Sequence, residues 1–77
     1  MAKHTQAHLS RSIPKTSSSG MKDMTRRQME YYMGAKLLEI GVAPQSAVYR
    51  WSSEIKGNDL VMTCSAYWGE SREKLAE

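Results

Sequence analysis

Hydrophobic positions in the middle of the chain recur with the period of a helix. Met29, Tyr32, Met33, Leu37 and Ile40 recur at helical spacing, with Ala35 and Leu38 flanking the stripe. Arg26, Arg27 and Glu30 fall mostly off it. Thr25 and Gln28 have the spacing of a capping box, and Met24 and Met29 stand where a hydrophobic staple needs them. At the far end Gly41 offers a left-handed stop, Val42 can fold back on the last turn, and Pro44 follows. The spacing predicts a helix over 25–40. Gly34 inside it costs about 1 kcal/mol relative to alanine, which implies close packing at that point.

Further on the period changes to two. Leu60, Met62, Cys64, Ala66 and Trp68 point one way, and Val61, Thr63, Ser65 and Tyr67 the other. This is a strand, ended by Gly69. The charged remainder, Glu70 to Glu77, suits a short terminal helix.

Residues 46–55 read two ways. As a strand they pair with 60–68 around the turn-rich loop Lys56-Gly57-Asn58-Asp59. Pairing Ile55 with Leu60 puts Trp51 opposite Cys64 and Tyr49 opposite Ala66. One register then collects Ala47, Tyr49, Trp51, Ile55 and the apolar residues of the second strand on one face. Val48, Arg50, Ser52, Glu54 and Tyr67 fall on the other. A slip of one residue would destroy that sorting, and the apolar face is the natural seat for the helix.

As a helix, Ala47, Val48, Trp51 and Ile55 also form a stripe, with Pro44 acceptable in the first turn. The stretch Gly41-Val42-Ala43-Pro44-Gln45-Ser46-Ala47-Val48-Tyr49-Arg50-Trp51 then resembles the turn and recognition helix of helix-turn-helix DNA-binding proteins, over Ala35 to Trp51. The resemblance implies a winged helix-turn-helix regulator in which Gln45, Ser46, Tyr49 and Arg50 face a DNA groove. Two departures weigh against it. Leu37 stands where that family has a small residue, and the segment from Gly41 to Val48 is one residue longer than usual, which would rotate the second helix by about 100°. The hairpin is therefore the preferred reading.

Composition limits what such elements can build. Seventy-seven residues make one domain at most, with a thin core that self-association would help complete. Residues 1–20 have Leu9 and Ile13 as their only large aliphatics, and Ser17-Ser18-Ser19-Gly20 has the composition of a flexible linker. The expectation is a disordered basic arm over 1–20 and a small domain over 21–77. The arm's lack of acids, with Ser and Arg present, resembles an organelle transit peptide; a solvated tail is the plainer reading. Six basic residues face only Asp23 up to Arg27, a net +5, whereas residues 28–77 carry −2. The single cysteine rules out an internal disulfide. No apolar run is long enough to span a membrane, and a cytoplasmic protein is expected.

Candidate chemistry is sparse. His4 and His8 have a metal-binding spacing for a helix but lie in the arm without a carboxylate or thiol beside them. Cys64, on the inward face, reads as a buried structural thiol. Neither a catalytic constellation nor a cofactor or metal motif emerges, so an enzyme is not expected. The aromatics Tyr49, Trp51, Tyr67 and Trp68 carry more weight, as core residues or interface anchors. Tyr67, with Val48 and Arg50, forms the candidate partner-binding patch on the outer hairpin face. Arg26 and Arg27 are possible phosphate contacts. The sequence thus leads to an α+β fold, one amphipathic helix on an antiparallel hairpin. Its expected role is non-enzymatic contact with a protein partner or a second copy, with nucleic acid as the alternative.

Overall fold

A computed structural model describes residues 5–76, with side chains described as far as Arg72. Strand β1 (Gln6–Pro14) leads into helix α1 (Ser19–Glu39). A single 3-10 turn (Pro44–Ser46) precedes strands β2 (Val48–Lys56) and β3 (Asp59–Tyr67), and helix α2 (Gly69–Ala76) follows. The three strands form one sheet in the order β1-β3-β2, antiparallel at both junctions. One helix packed on a three-stranded antiparallel sheet makes this an α+β fold.

The hairpin has the expected register. Ile55 pairs with Leu60, Trp51 with Cys64 and Tyr49 with Ala66. The ladder closes one step further than expected, at Lys56 and Asp59, which leaves Gly57-Asn58 as a two-residue turn. Gly57 has φ +63°, and among the described residues no non-glycine has positive φ. A positive φ at the first central position alone is the type II′ pattern that suits the strand twist.

Ser46 to Ile55 is therefore not a recognition helix, and the winged helix-turn-helix alternative is overturned. Cross-strand pairing along β3 sorts every side chain of β2 at once, whereas a helix here would leave the inward face of β3 without a partner strand on that side.

The core lies between α1 and the inner sheet face. Met29, Met33 and Leu37 from the helix meet Met62, Cys64, Ala66 and Trp68. With no Phe in the chain, the flexible thioethers of three methionines fill the space.

The N-terminal expectation needs correcting. Residues 6–14 form an edge strand, paired with β3 from Gln6↔Tyr67 to Pro14↔Asp59. Two aliphatics are too few to order a free tail. As a third strand, however, the segment lays Ala7, Leu9 and Ile13 on the core at alternate positions and draws its backbone hydrogen bonds from β3. Residue 20, the expected end of the arm, lies inside α1. Lys3 and His4 lie outside the described residues.

The serine run is not a linker. Ser17 donates its N–H and its hydroxyl to the Pro14 carbonyl, at 3.0 and 2.6 Å, closing the turn. Ser18 is the N-cap, its hydroxyl accepting the Met21 N–H at 3.2 Å. The helix thus starts before the anticipated Thr25. Thr25 is buried within it and donates back to the Met21 carbonyl at 2.9 Å, and Met24 is exposed. The far end is as expected: Gly41 has φ +83°, the Gly41 N–H reaches the Leu38 carbonyl at 3.1 Å, and the Val42 N–H reaches that of Leu37 at 2.8 Å. This is a Schellman stop, with Val42 half-buried against the core.

Candidate functional site

The helix covers one face of the sheet and leaves the other open. Because side chains alternate along a strand, the open face is built in rows across β1, β3 and β2. Gln6, Tyr67 and Val48 make one row; His8, Ser65 and Arg50 the next; Ser10, Thr63 and Ser52 the third. The expected patch of Tyr67, Val48 and Arg50 is brought together, with Tyr67 and Val48 half-buried and Arg50 exposed.

His8 joins this patch. Its Nδ1 lies 2.8 Å from the Ser65 hydroxyl, and its ring meets Tyr67 edge-on at 6.1 Å between centroids. Ser10 and Thr63 hydroxyls pair at 2.9 Å in the next row. These links hold the imidazole beside the phenol, with Arg50 exposed across the central strand. Sequence reasoning missed His8 because it assigned the residue to the arm. The alternation Ala7, His8, Leu9, Ser10 carried the signal.

The expected nucleic-acid contacts do not converge. Arg26 and Arg27 belong to α1, on the opposite side of the sheet from Tyr67. The Arg26 guanidinium stands 5.1 Å over the Trp51 ring, a cation–π contact that closes the helix onto β2. Tyr49 and Arg50 are adjacent in β2 and so point to opposite faces. Gln45 and Ser46 lie in the 3-10 turn at the end of the sheet. There the Ser46 hydroxyl donates to the Ala43 carbonyl, and the Ser46 carbonyl accepts from Arg72 Nη1, each at 2.7 Å.

A groove of roughly 520 Å³ runs between α1 and β2, lined by Tyr31, Ala35, Leu38, Pro44 and Tyr49 among others. Gly34 forms part of its floor. A Cβ there would meet Pro44 at 3.8 Å, ordinary contact, so the expected close approach does not require glycine. Among the described residues, no three His, Cys, Asp or Glu side chains come together as a metal site would require.

Cys64 is fully buried beneath α1. Burial first, and the Glu30 charge second, push its thiol pKa up to about 11. The Tyr49 hydroxyl is likewise raised, by burial first and then by Cys64 and Glu30. A protonated, covered thiol is a poor nucleophile, and Cys64 should resist alkylation at neutral pH until the chain unfolds. The raised value also sets a pH dependence. Its stabilising effect is complete below the thiol's ordinary value and is lost as pH climbs toward about 11, because the unfolded chain ionises first. The melting midpoint should fall across that alkaline window and fall less in Cys64→Ala; equal slopes would show that the thiol does not titrate differently on folding.

No family model matches this chain, and neither a curated protein nor a solved structure matches it. No described helix is long and apolar enough to cross a membrane.

Proposed function

We propose that this protein acts without catalytic chemistry of its own, as a small regulatory or accessory factor that binds a protein partner stoichiometrically through the open face of its sheet. The observation that carries this reading is the row at Tyr67. A tyrosine on the central strand has Val48 directly opposite and Arg50 and His8 in the next row, on a face with no helix over it. Tyr and Arg are the side chains that most often anchor interfaces, since each combines a large apolar area with a polar tip. The small hydroxyl side chains around them give a flat, hydrogen-bonding rim. The single cysteine, buried and free, suits a reducing compartment, and we place the protein in the cytoplasm.

A second reading has nucleic acid on the same face, with a base stacked on Tyr67 and phosphates met by Arg50. It no longer has a helix to read a DNA groove. One experiment separates the two. The full chain, Tyr67→Ser and Leu38→Ala are immobilised and exposed to cell extract at physiological salt, with and without nuclease. Tyr67 is only half-buried and Leu38 is exposed, so both variants should melt within a few degrees of the parent. A partner held in near-equal amounts by the parent and Leu38→Ala, lost with Tyr67→Ser and indifferent to nuclease, is the expected result. Loss on nuclease treatment would favour nucleic acid, and retention by Tyr67→Ser would remove the open face from both readings.

A further inference from the structure

The sheet has two free edges, and they are not alike. On the β1 edge, Arg11 stands on the helix side of the sheet opposite Met62, with its guanidinium 5.7 Å from the Tyr32 ring, and Pro14 ends the strand. An inward-facing charge and a proline are two of the devices by which folded proteins discourage strand addition. The β2 edge has neither. It runs for nine residues, Val48–Lys56, and Arg50 and Ser52 to Lys56 are all exposed.

Which backbone groups are free follows from the turn. The flanking pair of a two-residue turn, Lys56 and Asp59, exchanges both hydrogen bonds, so by alternation the even-numbered residues of β2 bond to β3. Tyr49, Trp51, Ser53 and Ile55 therefore turn their N–H and C=O groups outward. Ile55 is 66% exposed although it sits on the core side of the sheet, because no described element covers the end of β2.

We infer that β2 pairs antiparallel with β2 of a second copy of this chain, about a two-fold axis at Ser52, to make a continuous six-stranded sheet. The charges select this register. Centred on Ser52, Arg50 faces Glu54 of the other copy and Glu54 faces its Arg50, so two opposite-charge pairs form at once. Centring on Arg50 or on Glu54 would set like charges face to face, and centring on Ser53 would set Arg50 against Lys56. The Ser52 centre also places Ile55 across from Tyr49 on the core side, at the mouth of the groove that Tyr49 and Pro44 line. The outward N–H and C=O groups of the odd-numbered residues then meet their counterparts. In the single chain Glu54 holds Lys56 at 3.1 Å, with both side chains more than 60% exposed. That contact leaves the second carboxylate oxygen for Arg50.

This inference shares Arg50 with the open-face reading but does not rest on it, since Tyr67, which anchors that reading, lies on the central strand and away from the edge. Sedimentation equilibrium of the full chain at high micromolar concentration should give the mass of a dimer. Arg50→Glu alone and Glu54→Arg alone should each weaken the dimer by about ten- to a hundredfold, because each turns two attractions into repulsions. Combining Arg50→Glu with Glu54→Arg should restore it, the charges having been exchanged. Ser53→Pro removes only an outward N–H, so it should give a folded monomer with the parent's circular dichroism, and Tyr67→Ser should remain dimeric. A monomeric parent would overturn the inference. So would a dimer indifferent to Ser53→Pro, or one that the double exchange fails to restore.

Discussion

Removing residues 1–16 should abolish cooperative unfolding. The truncated chain would keep α1, its Ser18 cap and the hairpin, yet it would lose the strand that closes one side of the core. Ala7, Leu9 and Ile13 pack against the buried cluster from that strand. Full burial of a Leu or Ile side chain is worth about 1.5–3 kcal/mol, and these two are half-buried, so their loss removes roughly 1–3 kcal/mol. The backbone losses add to this. The β3 ladder toward β1 disappears, together with the Lys15 N–H bond to the Asn58 carbonyl and the Trp68 N–H bond to the Thr5 carbonyl, each 2.9 Å. A two-stranded remnant is marginal by itself, and a domain of this size has only about 3–5 kcal/mol to lose. Thermal denaturation followed by circular dichroism should show a broad, non-cooperative melt for a chain starting at Ser17. A chain starting at Thr5 keeps all of β1 and its bonds to β3 and should still melt cooperatively. Equal melting of all three would mean that β1 contributes nothing to the fold.

The same truncation shows where sequence reasoning stopped. The hairpin was legible because two strict alternations flank a Gly-Asn turn, and only one register sorts both faces. That register alone placed Tyr67, Val48 and Arg50 together. The first strand also alternates, but Arg11 occupies an inward position and interrupts its apolar set, and two aliphatics did not outweigh the serines. What orders it is pairing with residues far along the chain, from Gln6↔Tyr67 to Pro14↔Asp59, as in the 57-residue separation of His8 and Ser65. No local window contains that energy. The missing histidine of the candidate site follows from the missing strand. The helix start failed for a different reason. Thr25 and Gln28 form the fuller capping motif, whereas Ser18 caps with a hydroxyl alone. The apolar stripe was visible only from Met29 onward, because the first turns of α1 bury Thr25 alone and leave Met21 and Met24 exposed.

Leu37→Ala should nearly unfold the protein while Leu38→Ala leaves it almost unchanged. The two leucines are neighbours in one helix and have the same intrinsic helical preference, so the comparison isolates burial. Leu37 is fully buried among the core residues, and Leu38 is 65% exposed. Deleting a buried leucine's outer atoms costs the transfer free energy plus a cavity, about 2–5 kcal/mol, which approaches the whole stability of so small a domain. An exposed leucine away from special contacts is worth about 0.5 kcal/mol or less. The Leu37 carbonyl anchors the Schellman stop by accepting the Val42 N–H, but that bond is made by backbone and survives the substitution. The loss therefore reads the side chain alone. Trp51→Ala should fall between the two. Trp51 is half-buried, with one face against the core and Arg26 over its ring, so part of its area is already in water. Urea denaturation of the three variants gives the order directly. If Leu37→Ala and Leu38→Ala differed by less than about 1 kcal/mol, α1 would have to be rotated from the orientation that sets Met29, Met33 and Leu37 on the sheet. The assignment of the open face, which follows from where the helix sits, would then fall with it.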